Sequence, residues 1–328
     1  MDLPLISVVV PCYNEKKYIE KCILSILDQS IPQVQTEIFV IDGMSNDGTR
    51  EILFRLQKEF NRFQVIDNIK RKTPFARNLG VKASTGKFIA ILDAHTEYDK
   101  NYLANSLKLF EEHPDISCAG GPIESVGKNN FGKAAALAMS HPLGVGNAKH
   151  RFPDYEGYAE GACFPVFKKE VFDKLGTFDE ELVRNQDDEF NLRMKKNGMR
   201  VYLSPKAKAT YFVRDTPAKL FKQYFDYGYW RMAVIKKHKL PMSFRQLVPV
   251  LFIMIILLSF FLSPFIKVNF LVTIFIIPVI YILTLSAASV PIIIKNGAKV
   301  GMLFPVAAVI LHFSYAFGFL KGIFHFTR

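Results

Sequence analysis

The last quarter of this chain lacks acidic residues. From residue 247 onward there are five Lys or Arg and no Asp or Glu, whereas the whole chain has 30 acidic residues. Uncharged apolar runs occupy residues 247–266, 268–294 and 300–320. Each run reaches the ~20 residues that a helix needs to cross a hydrocarbon core of about 30 Å. The composition therefore excludes an ordinary solvated surface here and predicts about three transmembrane helices over residues 247–328.

The distribution of basic residues predicts how these helices are oriented. Residues 236–245 and the 295–299 loop are basic, whereas the first loop contains only Lys267. Because loops rich in Lys and Arg stay in the cytoplasm, we expect the N-terminal part of the chain and the second loop on the cytoplasmic side of the cell membrane. Lys321 and Arg328 would then lie outside, against the same rule.

Three further absences narrow the class of protein. The four cysteines show no C-x-x-C spacing and no pairing pattern, so a reduced, cytosolic chain is the simplest interpretation. No basic stretch precedes the first apolar run, and we therefore expect no secretory signal. Residues 216–246 mix aromatic and basic side chains without a groove-reading motif, which predicts an amphipathic membrane-surface segment and no nucleic-acid partner. A core helix with exposed basic residues is the alternative.

Residues 1–215 alternate between strand-like and helix-like patterns. Four apolar runs rich in β-branched residues predict strands, at residues 5–10, 37–41, 63–66 and 88–92. Apolar positions at helical spacing separate these runs. The alternation predicts an α/β domain with a doubly wound, parallel sheet. Residues 143–158 are less regular, and we expect a mobile, glycine-bearing loop on the acceptor side there.

Two of the predicted strands run into acidic loops. Asp42 follows the strand at 37–41, and Asp93-Ala94-His95 follows the strand at 88–92. Parallel strands present their carboxyl ends at one sheet edge, where ligands bind. Asp93 and His95 are two residues apart, so they face the same side of an extended chain and can both ligate a divalent metal. The alternative is that Asp93 caps a helix and that His95 is a solvated loop residue.

Seven short motifs follow one another along the chain, at residues 8–15, 41–49, 76–80, 93–95, 161–163, 178–180 and 186–193. As a set they are similar to glycosyltransferase family 2, and the nearest subgroup is the membrane-attached glucosyltransferases of the succinoglycan-biosynthesis type. The resemblance implies the GT-A nucleotide-sugar fold. It also implies inverting transfer from a nucleotide-sugar, expected to be a UDP-sugar, to a lipid-linked saccharide during polysaccharide or glycan biosynthesis.

The resemblance also implies the residues of the site. The donor-binding residues are Pro11, Tyr13, Asn14, Glu15, Asp42, Ser45, Asp47, Arg77 and Asp93. The metal, Mn²⁺ or Mg²⁺, would bind Asp93 and His95, although the family more usually has a second Asp at the histidine position. Asp187 would be the general base, and the acceptor-side residues would be Gly161, Asp188 and Arg193. Adjacent carboxylates raise one another's pKa, which makes a carboxylate a more useful base.

Two other functions are compatible with these motifs. One is transfer directly to polyprenyl phosphate, whose acceptor oxygen is already anionic and needs no base. The other is an inactive membrane-anchored scaffold that only binds a nucleotide-sugar. The presence of Asp42, Asp93 and Asp187 disfavours the scaffold.

Overall fold

The computed structural model describes residues 5–31, 35–60, 63–241, 243–262 and 270–327. The chain forms two compact units. The first unit comprises Met1–Glu124 and Lys149–Tyr211, and the second comprises Ser125–Ala148 and Phe212–Arg328. Residues 125–148 thus belong to the same unit as the C-terminal part of the chain, which the sequence pattern did not indicate.

The first unit begins with the alternation that the sequence predicts. Its elements up to the border are β1 (Ile6–Cys12), α1 (Ile19–Leu27), β2 (Thr36–Asp42), α2 (Thr49–Glu59), β3 (Phe63–Asp67), α3 (Thr73–Ala83), β4 (Phe88–Ile91), β5 (Glu97–Tyr98), α4 (Tyr102–Glu112), β6 (Ile116–Gly120) and β7 (Ile123–Val126). Strands β1, β2, β4 and β6 are short runs of mostly buried residues, and α1 buries the positions at helical spacing that follow β1. Local periodicity therefore explains this half of the fold.

The chain then continues through the second unit and returns. Its later elements are α5 (Asn130–Met139), α6 (Pro142–Val145), β8 (Gly157–Ala159), β9 (Val166–Lys168), α7 (Glu170–Leu175), α8 (Gln186–Lys196), β10 (Arg200–Leu203), β11 (Ala209–Phe212), α9 (Pro217–His238), α10 (Val248–Leu262), α11 (Phe270–Asn296) and α12 (Ala298–Phe326). Short 3₁₀ turns lie at Lys149–Arg151 and Phe244–Gln246. The expected irregular loop at 143–158 instead contains α6, a 3₁₀ turn and the start of β8.

An eight-stranded mixed sheet forms the centre of the first unit. Its strand order is β3-β2-β1-β4-β9-β6-β10-β8. Strand β1 pairs in parallel with β2 and β4, as predicted, but β9 pairs antiparallel with both β4 and β6. The α/β class is therefore confirmed, and the sheet is mixed because β9 and β8 run antiparallel to their neighbours. A strand of three residues such as β9 is too short to leave a periodic signal in the sequence.

Helices cover both faces of this sheet. Val8 and Val10 of β1 pack into one core, with residues of α1, α2 and α4, whereas Val9 packs into the other. This division follows the two-residue period of a strand. The second core contains Ala76 of α3 and Phe190 of α8. Both helices that carry later motif residues are thereby fixed to the same face.

The second unit consists of helices. In its described part, two helical stretches are long and apolar enough to cross a membrane, Ile276–Asn296 of 21 residues and Ala298–Phe326 of 29 residues. A shorter apolar stretch covers Val248–Leu258. The end of the first predicted span and the start of the second fall at residues 263–269, outside the described residues. Membrane attachment is thus supported by two helices rather than three.

Candidate active site

Strand register brings three motif-bearing loops to one edge of the sheet. Cys12 at the end of β1 is aligned with Asp42 at the end of β2, and Val9 is aligned with Ile91 of β4. The loops that follow β1, β2 and β4 therefore leave the sheet side by side. Asp93 lies just beyond Ile91 and so shares this edge with Asp42. Ligands of open α/β sheets bind at such an edge.

Asp42 is the centre of the loop that follows β2. Its side chain is fully buried. One carboxylate oxygen accepts the Ser45 hydroxyl at 2.5 Å, and the other accepts the Ser45 amide at 3.0 Å and the Arg50 guanidinium at 2.6 Å. The same Arg50 nitrogen lies 2.8 Å from Asp67 at the end of β3. These bonds satisfy a buried charge that would otherwise be costly, and they fix the shape of the loop.

The loop after β1 is tied to the loop after β2 by polar contacts. The Asn14 amide donates to the Ser45 hydroxyl at 2.8 Å, and the Asn46 amide donates to the Asn14 side-chain oxygen at 3.0 Å. The Glu15 amide donates to the Thr49 hydroxyl at 2.9 Å. Hydrogen bonds thus join the two loops at five motif positions: Asn14, Glu15, Ser45, Asn46 and Thr49. The predicted donor residues Asn14, Glu15 and Ser45 lie together.

Asp47 completes this set at the start of α2. Its carboxylate accepts the Thr49 hydroxyl at 2.5 Å and the Lys16 amide at 3.2 Å. Desolvation raises the pKa of Asp47, but the hydrogen bonds from Thr49 and Lys16 outweigh it and hold that pKa below its ordinary value. Asp47 is therefore ionised at neutral pH and acts as a bridge between the two loops.

Tyr13 lies on the backbone of Gly43. A Cβ added at Gly43 would be only 3.0 Å from the Tyr13 ring, so this position suits glycine. The Tyr13 side chain is 46% exposed. A flat aromatic ring with one face on the protein and one face open can stack on a planar group such as a nucleobase. Pro11 precedes this turn and is the next-to-last residue of β1.

Several motif loops contain backbone in the left-handed region. Among the described residues, Asn14, Met44 and Asn185 have φ values of 55°, 60° and 59°. Asn tolerates this region better than most residues, but Met does not. Such conformations persist where surrounding contacts determine them, and they cluster at functional loops. Asn14 and Met44 lie inside the motifs at residues 8–15 and 41–49, and Asn185 directly precedes the motif at residues 186–193.

The hydrogen bonds that the structure describes at Asp93 are made by its backbone. The Asp93 amide donates to the Tyr98 hydroxyl at 2.7 Å, and the Asp93 carbonyl accepts from the Cys22 thiol at 3.3 Å. His95 Nδ1 lies 3.3 Å from Glu15 Oε1. His95, two residues beyond Asp93, therefore lies against Glu15, which belongs to the loop after β1.

The acidic residues of the last motif open α8. Asp187 is exposed, and its Oδ1 accepts the Asp188 amide at 2.9 Å. Burial raises the pKa of the Cys163 thiol to about 12, and Arg151 acts in the opposite direction. The charges of Asp187, Asp93 and Asp188 raise the Cys163 pKa further. The charges of all three carboxylates therefore act on one thiol, so the 93–95 and 186–193 motifs lie in the same region of the first unit.

The described contacts of Arg77 and Arg193 are with residues other than Asp93, Asp187 and Asp188. Arg77 is buried, and its guanidinium lies over the Phe178 ring at 5.2 Å. Arg193 binds Glu189 through Nε, and its two terminal nitrogens donate to the carbonyls of Leu175 and Thr177. These contacts support a structural role for Arg193. Donor contact by Arg77 and an acceptor-side role for Arg193 stay predictions.

Gly161 is close to α8. A Cβ at Gly161 would be 2.2 Å from the Asn191 side-chain nitrogen, so the residue leaves room for that amide. Arg50, Thr49 and Tyr98 hold the predicted site residues in place, and sequence reasoning missed all three. For Thr49 a signal existed, because it lies inside the 41–49 motif. The partners of Arg50 depend on the path of a loop, which no local pattern reveals.

Comparison with known proteins agrees with this geometry. The family model described as Glycosyl transferase family 2 matches residues 7–176, which is more than half of the chain. A Methanococcus voltae relative is 28% identical over 97% of both chains. Its name is dolichyl N-acetyl-alpha-D-glucosaminyl phosphate 3-beta-D-2,3-diacetamido-2,3-dideoxy-beta-D-glucuronosyltransferase. The Rhizobium meliloti succinoglycan biosynthesis protein ExoA is 29% identical over 98% of this chain and 96% of its own.

A solved structure supports the fold. The mannosyltransferase PcManGT from Pyrobaculum calidifontis, in complex with GDP-Man and Mn²⁺, has a TM-score of 0.62 to this chain at 17% identity. The alignment covers 98% of this chain and 88% of that one. At this identity the likeness concerns the fold alone. The shared fold, the order of the loops along the sheet edge and the family match lead to one conclusion: the chain belongs to glycosyl transferase family 2.

Proposed function

We propose that the chain transfers a sugar, with inversion, from a nucleotide-sugar to a lipid-linked saccharide. The observation that carries the proposal is the alignment of the strand ends that precede Asp42 and Asp93 at one sheet edge, together with the exposed Asp187 at the start of α8. One chain thereby combines a pair of hydrogen-bonded loops with the half-buried Asp93 and the exposed Asp187. The acceptor class follows from the relatives, one of which is named for transfer to dolichyl N-acetylglucosaminyl phosphate.

The two tied loops form the donor side. Tyr13 is 46% exposed and would stack on the base, and Glu15 and Asp47 lie in the same bonded set. Asp42 is fully buried, so its contribution is to hold Ser45 and Arg50 rather than to present an open face. We propose a UDP-sugar as the donor. Calorimetry that compares the affinities of the chain for UDP and for GDP would identify the nucleobase of the donor.

Asp93 and His95 fit a divalent metal by the chemistry of their donor atoms. A carboxylate oxygen and an imidazole nitrogen suit Mn²⁺, and a metal bound with a nucleotide takes its remaining ligands from phosphate oxygens and water. Among the described residues, no three His, Cys, Asp or Glu side chains form a ready-made metal cluster. A two-residue set agrees with a metal that arrives with the nucleotide. When bound, it would neutralise charge on the leaving diphosphate.

Asp187 is the proposed general base. It is exposed at the N-terminus of α8, where a second substrate can reach it. The Asp187 carboxylate takes the proton from an acceptor hydroxyl as that oxygen bonds to the anomeric carbon. The bond between the anomeric carbon and the phosphate oxygen breaks at the same time, and the nucleoside diphosphate leaves. Attack from the opposite face inverts the anomeric centre.

Direct transfer to polyprenyl phosphate is the rival function. Its acceptor oxygen is already anionic, so it needs no base, and Asp187 would have no proton to remove. The exposure of Asp187 in the first turn of α8 favours the saccharide acceptor instead.

The apolar C-terminal helices support a reaction at a membrane. We propose that they pass through the cytoplasmic membrane more than once, with the first unit on the cytoplasmic side. This side follows from the basic residues at 236–245 and 295–299. A nucleotide-sugar donor and a lipid-linked acceptor would meet at that face.

The experiment is a donor and acceptor screen with the full chain in membranes. Membranes that contain the protein are incubated with a panel of radiolabelled nucleotide-sugars, with and without EDTA, and the lipid fraction is extracted. We expect label in a lipid-linked saccharide with one donor, and its loss in EDTA. Label that appears on polyprenyl phosphate alone would support the rival function. No label in any lipid from any donor would overturn the proposal.

A further inference from the structure

The loop at residues 176–185 joins α7 to α8 and contains the motif at residues 178–180. Its backbone is irregular, yet Phe178 within it is only 4% exposed. Asp187 lies two residues beyond the loop, in the first turn of α8. The contacts that hold this loop therefore also determine where α8 begins.

Asn78 of α3 holds the loop from one side. Its Nδ2 donates to the Phe178 carbonyl and its Oδ1 accepts from the Phe178 amide, both at 2.9 Å. The same Nδ2 donates to the Glu180 carboxylate at 2.9 Å. A side-chain amide that binds both the N–H and the C=O of one residue fixes the position and the direction of that backbone, much as a neighbouring strand would.

Arg193 of α8 holds the same loop from the other side. Its Nη1 donates to the Leu175 carbonyl at 2.6 Å, and its Nη2 donates to the Thr177 carbonyl at 2.7 Å. Its Nε is bound to Glu189, whose side chain is fully buried. The planar guanidinium is thus fixed on three sides. Residues 175–178 are therefore bound by α8 at two carbonyls and by α3 at the next residue.

The Phe178 side chain joins the same two helices by apolar contact. The rings of Phe178 and Phe190, which belongs to α8, have centroids 4.7 Å apart. The guanidinium of Arg77, which belongs to α3, lies 5.2 Å from the centre of the Phe178 ring. Phe178 and Phe190 are buried in the core that also contains Ala76 of α3. Backbone bonds and ring contacts thus connect α3 to α8 through one residue.

Helix α3 is in turn fixed to the strand that leads into the first donor loop. A Cβ at Gly80 would be 2.1 Å from Val9 Cγ1, so α3 lies directly on β1. The loop after β1 carries Tyr13, Asn14 and Glu15. Direct contacts therefore run from the donor side through β1, α3 and the 176–185 loop to the helix that carries Asp187.

We propose that Asn78 is a positioning residue for Asp187. By holding Phe178, it fixes the start of α8 relative to β1, and thereby the distance from the Asp187 carboxylate to an acceptor hydroxyl beside the bound donor. A base must lie within hydrogen-bond reach of the proton that it removes, and a misplacement of about 1 Å can cost about 10²-fold in rate. The inference rests on the proposed function, because it requires Asp187 to be the base.

The first measurement compares Asn78→Ala with a matched control in the full chain. Asn105→Ala removes a similar bond, since Asn105 Nδ2 donates to the Lys206 carbonyl at 2.7 Å on an exposed part of the same unit. We expect Asn78→Ala to lose about 10–10²-fold in single-turnover transfer at saturating donor and to keep its affinity for UDP. Asn105→Ala should keep both. A full rate in Asn78→Ala would overturn the proposal.

The second measurement is a double-mutant cycle, because contact alone does not establish that two residues are coupled. Asn78→Ala is combined with Asp187→Asn, and transfer is measured with the donor that the membrane screen identifies. If Asn78 acts by placing the Asp187 carboxylate, its loss has little left to disturb once that carboxylate is gone. We therefore expect the double variant to be nearly as active as Asp187→Asn alone. Losses that multiply would assign Asn78 a separate, structural role and overturn the proposal.

The cycle also distinguishes failure of this inference from failure of the proposed function. If Asp187→Asn alone keeps its rate, the assignment of the base is wrong, and the positioning role is wrong with it. If Asp187→Asn loses rate and Asn78→Ala does not, only the positioning role is wrong. UDP binding and the melting temperature show whether Asn78→Ala is folded. If it is not, Asn78→Ser replaces it, because a hydroxyl can still bind one of the two Phe178 groups, and the same outcomes support or overturn the proposal.

Discussion

Two carboxylates in the motifs, Asp42 and Asp187, have very different surroundings. Asp42 is fully buried, and both of its oxygens are bound by Ser45 and Arg50. Asp187 is exposed, and its described bond is to the amide of the next residue. A carboxylate that is enclosed shapes a loop, whereas an exposed one can exchange a proton with a substrate. The family resemblance places Asp42 and Asp187 in one site, but their surroundings differ. Asp42 holds a loop in position, whereas Asp187 can react with a substrate.

Removing a metal ligand should have the largest effect. We expect Asp93→Ala to abolish metal-dependent transfer, because the substitution removes a charged donor atom. The loop should survive, since Asp93 is anchored through its backbone to Tyr98 and Cys22. His95→Ala should retain some transfer but need more Mn²⁺. Transfer rate against Mn²⁺ concentration measures both effects, with the melting temperature as the control for folding. Full activity of Asp93→Ala in EDTA would contradict the assignment.

The exposed carboxylate should come next. A positioned general base contributes about 10²–10⁴ in rate, so Asp187→Asn should lose that much in single-turnover transfer. Asp188→Asn is the matched control and should lose less, because its neighbour provides the base. Equal losses of rate in the two variants, or a larger loss in Asp188→Asn, would show that the assignment of the base to Asp187 is wrong. Retained activity of Asp187→Asn would favour a phosphate acceptor.

Removing Arg50, the ion-pair partner of the buried Asp42, should lower the stability of the protein. Arg50→Met leaves Asp42 buried with one fewer hydrogen bond, which should lower the free energy of unfolding by about 1–3 kcal/mol. Arg55→Met is the control, because the Arg55–Glu20 ion pair is exposed and should change stability little. Chemical denaturation of both variants measures the difference. If the two variants were equally stable, Asp42 would not depend on Arg50.

The sequence predicted the parts of the fold that depend on local pattern. The strands before Asp42 and Asp93 follow from apolar runs, and their shared edge follows from parallel pairing. It did not predict that residues 125–148 pack with the C-terminal helices, because small residues such as those of α5 have no distinctive periodic signal. It also predicted a span over residues 300–320, where the structure has a helix long and apolar enough to cross a membrane, but hydropathy does not reveal that half of its most apolar stretch is buried.

The sequence predicted which residues lie together in the site better than it predicted the contacts that these residues make. Resemblance selected Asn14, Ser45 and Asp47, and the structure brings them into one bonded set. The burial of Asp42 and its bond to Arg50 could not be predicted, because a contact across eight residues depends on how the loop turns at Met44. For the same reason, the contacts of Arg193 with two backbone carbonyls were not foreseen.

The most direct test measures donor affinity and chemical rate in the same two variants. Calorimetry gives UDP affinity for Asp187→Asn and Arg50→Met, and single-turnover transfer at saturating donor gives the rate. The account predicts opposite patterns. Asp187→Asn should keep its affinity and lose about 10²–10⁴ in rate, whereas Arg50→Met should bind UDP more weakly and keep most of its rate once saturated. Two variants that lose affinity and rate alike would contradict the division between a positioning and a reacting carboxylate.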